Sequence, residues 1–149
     1  MATHQFVLAK FNLLITINFG QTIKSSNPGL CGQLKKLIMD IVKLIDQWIA
    51  VSNSYDTDQY LTFYTEYAIF DDPSVGRKFN GRTGIKKYFN SYFIGYKTQT
   101  KKVKLILKEE NQAYLEVEFT GDFPEGKIRG TFDFKFEAGK ISYVLADLI

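Results

Sequence analysis

Histidine is nearly missing from this chain. Its one imidazole, His4, stands near the amino terminus, so the body of the sequence offers none as a base, a nucleophile's partner or a metal ligand. That scarcity argues against Ser-His-Asp and Cys-His catalysis and against histidine-ligated metals. Cysteine is equally scarce: Cys31 alone supports neither an intramolecular disulfide framework nor a multi-cysteine zinc site. No apolar run approaches the roughly 20 residues that span a bilayer. The stretch from Phe6 to Phe19 is broken by Lys10, Asn12 and Asn18, and it has neither a basic leader nor a prompt small-residue cleavage site. Pro28-Gly29-Leu30-Cys31 puts the wrong residues beside a would-be lipoprotein cysteine. The chain therefore reads as cytoplasmic, with no membrane partner. No phosphate-binding glycine loop precedes a helix in a strand–helix–strand setting, so neither an organic cofactor nor a metal is expected.

Charge is also modest, at a formal net +3. Acids are missing between Pro73 and Lys108, where Arg77, Lys78, Arg82, Lys86, Lys87 and five further lysines follow one another. The run crosses a loop, a helix and a strand, and acids elsewhere nearly balance it. It reads as a solvated basic face, and nucleic acid is not an expected partner.

Aromatics are what the chain has in quantity: 13 Phe, 9 Tyr and 1 Trp. With 45% hydrophobic residues in 149, the chain can bury one real core. Residues 1–30 read as an N-terminal extension, in which Gln5 to Asn18 could form a strand and Ser25 to Gly29 a turn. Residues 31–149 read as the domain proper. Apolar residues at 34, 37, 38, 41, 44, 45 and 48 lie on one face of a helix ending near Val51. Asp56 with Gln59 predicts a capped second helix, whose apolar face would use Tyr60, Leu61, Phe63, Tyr64 and Tyr67. Ala68 to Asp72 is extended, and Pro73 holds Asp72 out of the helical conformation. A glycine-marked loop leads to a third helix over Thr83 to Phe93.

The period then changes to two. Val103, Leu105 and Leu107 alternate with lysines, and Ala113, Leu115, Val117 and Phe119 with polar residues; Phe132, Phe134 and Phe136 do the same before a last strand over Ile141 to Leu148. Three helices and a meandering, largely antiparallel sheet with one polar face make an α+β domain.

The stretch AIFDDPSVGRKFNGRTGIKKYF, from Ala68 to Phe89, carries a resemblance. An extended run ends in Asp71-Asp72-Pro73, and Gly81-Arg82-Thr83-Gly84-Ile85 opens an amphipathic helix. With Gly139-Lys140-Ile141 before the final strand, this order resembles the nuclear-transport-factor-2-like superfamily, which includes ketosteroid isomerases and SnoaL-like polyketide cyclases. The resemblance spans about residues 34–149. It implies a cone-shaped, cystatin-like α+β fold around an apolar cavity, commonly in a homodimer.

By this resemblance Asp72 matches the general base of ketosteroid isomerases, where a carboxylate in a dry cavity moves a proton next to a carbonyl; the alternative is a strand-end carboxylate that accepts loop or helix amides before Pro73. Strand parity puts Asp72 with Phe70 and turns Asp71 away. Trp48 stands where the isomerase has its enolate-stabilising tyrosine, and Phe132 where it has a protonated aspartate. Indole donates one hydrogen bond and phenylalanine none, which disfavours ketosteroid isomerisation itself. Arg129 and Asp133 lie on the face opposite Phe132, away from any epoxide-hydrolase-type Asp-Arg-Asp set. The expected cavity wall comprises Trp48, Tyr64 and Phe70, then Tyr88 and Phe89, with Phe132, Phe134, Val144, Ala146 and Leu148 from the last strands. Asp147 has the opposite parity and reads as outward. The expected ligand is a small apolar or aromatic molecule. The competing reading is a dimerisation or partner-binding module using Tyr114, Glu116, Glu118, Thr131 and Lys135.

Overall fold

A computed structural model describes residues 3–8, 13–18, 28–109 and 111–149. Strands β1 (Thr3–Leu8) and β2 (Leu13–Asn18) pair antiparallel, with Phe6 opposite Ile15, so the one strand expected there is two. Helix α1 (Pro28–Ser54) begins ahead of Leu34, where the apolar spacing starts. Proline's fixed φ suits a first helical turn, whose amide has no intrahelical partner anyway. Pro28 and Gly29, read as part of a turn, therefore open the helix. Its buried stripe is Ile38, Ile41, Val42, Ile45, Trp48 and Ile49, the expected face widened by Val42 and Ile49.

Helix α2 (Thr57–Leu61) is shorter than its spacing suggests. Asp56 caps it, its carboxylate accepting the Gln59 amide at 3.0 Å, and the Thr62 hydroxyl closes it by donating to the Gln59 carbonyl at 2.6 Å. Tyr64 and Tyr67, expected on this helix, lie instead on strand β3 (Tyr64–Asp72). Aromatic and β-branched side chains fit a pleated surface, and Tyr64, Ala68, Phe70 and Asp72 share one strand parity and are all buried. Tyr67 has the other parity and is 83% exposed.

A single 3₁₀ turn (Pro73–Val75) leads to Gly76, whose φ of +72° is one that glycine adopts without strain. The expected loop then becomes strand β4 (Arg77–Asn80), antiparallel to β3 with Arg77 opposite Asp72. Helix α3 (Gly81–Tyr88) follows, and Phe89–Ile94 continue it as a π-helical turn. There the Gly95 amide donates to the Asn90 carbonyl at 2.9 Å and the Thr98 amide to Phe93 at 2.8 Å, each spanning five residues.

Strands β5 (Gln99–Glu109), β6 (Gln112–Thr120), β7 (Lys127–Glu137) and β8 (Lys140–Leu148) complete the sheet. Its order is β4-β3-β8-β7-β6-β5; β3 and β8 run parallel and every other neighbouring pair antiparallel. Strand β1 lies against β5. The inner face presents Leu105, Leu115, Val117, Phe132, Phe134 and Val144 to the helices. The outer face carries the ion pairs Glu116–Arg129, Glu118–Lys127 and Asp133–Lys108. Arg129 and Asp133 thus face away from the core, as their parity requires. The domain is α+β, a curved and mostly antiparallel sheet with helices on one face.

Candidate functional site

Strand β3 delivers Asp72 to the inner face, and Pro73 ends the strand there. The carboxylate is 5% exposed. Its Oδ1 accepts the Ser74 amide at 3.0 Å and the Ser74 hydroxyl; its Oδ2 accepts the Tyr88 phenol at 2.6 Å. Both oxygens are therefore engaged, as a buried charge requires. Burial, and then the negative charge of Asp72, push the Tyr88 phenol well above its ordinary value. Tyr88 accordingly keeps its proton and is the donor of the pair.

Tyr88 begins a series of rings along α3 and the π-helical turn. The Tyr88 and Tyr92 centroids are 5.1 Å apart, and those of Tyr92 and Tyr96 are 6.5 Å apart. Exposure rises from 5% at Tyr88 to 42% at Tyr96. The series forms one side of a cavity of about 270 Å³. Phe119, Phe123 and Ile128 line it from β6, the following turn and β7, and Ser74, Val75, Phe93, Thr98 and Leu148 complete it. Among the described residues, Asp72 is the one charged side chain on its wall.

Among the residues expected to form a site, Asp72, Tyr88 and Leu148 are brought together on this wall. Leu148 is 49% exposed. Trp48, Tyr64, Phe70, Phe89, Phe132, Phe134, Val144 and Ala146 are not on it; they are packed core. The Trp48 indole N–H donates to the Tyr64 hydroxyl at 3.0 Å, which donates to Tyr60 at 2.7 Å. Trp48 meets Phe132 and Phe134 edge-on at 5.1 and 5.3 Å, and Tyr60 stacks on Phe89 at 3.9 Å. These rings fill one another's space, and the indole donor is committed to the core. Asp147 is exposed and its Oδ1 accepts the Leu148 amide at 2.9 Å, consistent with its outward parity.

Sequence reasoning missed Tyr96, Phe119, Phe123 and Ile128 as wall residues. The spacing of Tyr88, Tyr92 and Tyr96 was a readable signal. Phe123 had none, because it sits in a turn. Its place is set by the Asp122 amide, which donates to the Tyr96 carbonyl at 2.7 Å and ties that turn to the end of the tyrosine series. Among the described residues no cluster of three or more metal-ligating side chains occurs, and no helix is long and apolar enough to cross a membrane. What the arrangement can do is enclose a small molecule in aromatic walls and present to it one carboxylate with a phenol beside it.

No curated protein matches the chain. Solved structures of the same fold do. RV0760c from Mycobacterium tuberculosis, solved in complex with estradiol-17β-hemisuccinate, is 11% identical, with a TM-score of 0.62 over 72% of this chain and 92% of that one. A nuclear-transport-factor-2-like protein from Burkholderia xenovorans is 16% identical, with a TM-score of 0.64 over 74% and 83%. The epoxide hydrolase/cyclase-like enzyme SalBIII of salinomycin pyran-ring formation is 19% identical, with a TM-score of 0.63 over 72% and 88%. The SnoaL-like domain model matches residues 45–144, more than half of the chain. This chain belongs to the SnoaL-like domain family.

Proposed function

We propose that the protein takes up a small, largely apolar molecule in the cavity beside Asp72, with Asp72 as its polar contact and as the base for any proton transfer. The observation that carries this is the buried Asp72–Tyr88 pair on a largely aromatic and aliphatic wall. Apolar walls with a few convergent polar groups are the usual makeup of a ligand site. The cavity's volume of about 270 Å³ lies just under the roughly 300–1,000 Å³ of typical drug-sized sites. It suits a ligand of one or two rings. That RV0760c was solved with a steroid ester supports a ring-bearing ligand, though a smaller one here.

The test is an NMR titration with one- and two-ring ketones, following the rings of Tyr88, Tyr92, Phe119 and Phe123. Binding should shift these resonances together. Base chemistry should appear as loss of deuterium from the position next to the carbonyl, and it should vanish in Asp72→Asn. If no compound shifts the rings, the pocket reading fails. If compounds bind without exchange, Asp72 is an anchor and not a base.

A homodimer belongs to the same proposal. Its interface would be the outer sheet face with Tyr114, Glu116, Glu118 and Lys135, where both glutamates are already paired within the chain. Such a contact would be polar, and sedimentation of a single species at the monomer mass would dismiss it.

A further inference from the structure

We infer that the polar end of the ligand is a cation, a protonated amine on a small aromatic or aliphatic skeleton. This rests on the reading of the cavity as a ligand site and names the class of molecule it takes.

Three observations converge. First, Asp72 is a buried carboxylate that no cation among the described residues balances. Its three donors, the Ser74 amide, the Ser74 hydroxyl and the Tyr88 phenol, are all neutral. The ion pairs among the described residues leave Asp72 out. Arg77 stands opposite it in the β3–β4 ladder, yet its guanidinium is placed over the Phe79 ring, 5.9 Å from the centroid. A buried carboxylate held only by neutral dipoles gains most from a partner that brings positive charge.

Second, the walls have the makeup of an aromatic cage. Tyr88, Tyr92, Phe93, Tyr96, Phe119 and Phe123 all line the cavity. Aromatic faces attract ammonium groups through the negative potential above the ring, more strongly where water is excluded. Third, the rings and the charge form one path. The tyrosine series runs from Tyr96, 42% exposed, inward to Tyr88, whose phenol touches Asp72. An ammonium entering past Tyr96 meets ring after ring and ends at the carboxylate.

The experiment compares three probes with one skeleton at neutral pH: 2-phenylethylamine, 2-phenylethanol and ethylbenzene. Calorimetry gives the affinities, and ring NMR locates the binding at Tyr88 and Tyr92. In the unmodified protein the amine should bind at least about tenfold more tightly than the alcohol. Asp72→Asn should reduce that preference to about twofold or less. Should Asp72→Asn fail to fold, Tyr92→Leu serves: it removes a cage ring and should weaken the amine more than the alcohol. Equal binding of amine and alcohol overturns the inference and leaves the pocket reading standing. An amine preference that survives in folded Asp72→Asn also overturns it. If none of the three binds, the inference and the pocket reading fall together.

Discussion

The phenol of Tyr88 donates to Oδ2 of Asp72 across 2.6 Å, while Ser74 serves the other oxygen from the half-open side of the strand end. Both contacts are hydrogen bonds to a charged group, but they differ in what replaces them. Tyr88 is 5% exposed, so Tyr88→Phe leaves Oδ2 without a donor and should destabilise by about 1–3 kcal/mol. Ser74 is exposed, and water can take over from its hydroxyl. Ser74→Ala should therefore cost less than half as much. Urea midpoints decide it, and equal losses would mean that the two sides of Asp72 are equally wet.

Gly130 on β7 lies beneath the ring of Phe119, a wall residue of the cavity. A Cβ built on Gly130 would stand 2.5 Å from Phe119 Cε2 and 3.1 Å from the Asp147 carbonyl. Gly130→Ala must move the ring, and overpacking of this kind typically costs about 1–3 kcal/mol. The variant should unfold at lower urea and show a changed Phe119 ring resonance. An unchanged midpoint with an unmoved ring would show that the strand itself shifts to make room.

Tyr60, Tyr64 and Tyr88 share one pH behaviour. Burial is the first cause that raises all three phenols above their ordinary value, with Tyr64 and then Tyr88 adding to it at Tyr60, and Asp72 adding to it at Tyr88. Unfolded tyrosine ionises near pH ~10. Above that pH the unfolded chain binds fewer protons than the native one, so stability falls as pH rises. Below it these groups contribute their full share. Phenolate absorbance should therefore lag for these residues and appear together with loss of the fold. Smooth titration of all 9 tyrosines in a still-folded protein would contradict their burial.

Trp48 is the single tryptophan and is fully buried among Tyr60, Phe132 and Phe134. Its emission should lie at short wavelength and resist aqueous quenchers until unfolding. Because Trp48 is not on the cavity wall, a ligand beside Asp72 should leave that emission nearly unchanged. Trp48→Phe removes the donor to Tyr64 and should cost about 1–3 kcal/mol in denaturant unfolding. A strong emission change on ligand binding would place the ligand in the core, beside the indole.

The elements with a sustained period were legible from sequence. The stripe of α1 and the alternation of β5 to β8 repeat over enough residues for one geometry to fit and the other to fail. Tyr64 and Tyr67 were misread because aromatics three and four apart satisfy a helical face over so short a run. Only the pairing of β3 with β4 and β8 shows that the chain is extended there. Asp72 was legible because Pro73 and strand parity fix it locally. The far wall was not, since Phe123 and Ile128 reach the tyrosine series only after β6 and β7 have paired and the Asp122 amide has reached Tyr96. Phe132 and Phe134 were read as wall because the inner sheet face is both core and cavity border, and parity alone does not say where filling stops.

The π-helical turn at Phe89–Ile94 makes chain length, more than residue identity, the control on the cavity's shape. Its five-residue hydrogen bonds each span one residue more than those of an α-helix. Deleting one residue there would let the segment close as ordinary helix and rotate everything beyond it by about 100° relative to Tyr88. Tyr96 would swing off the cavity and its carbonyl would leave the Asp122 amide, loosening the turn that holds Phe123. Relatives that differ by a single residue in this turn would then hold differently shaped cavities on the same sheet, with the carboxylate at the end of β3 untouched.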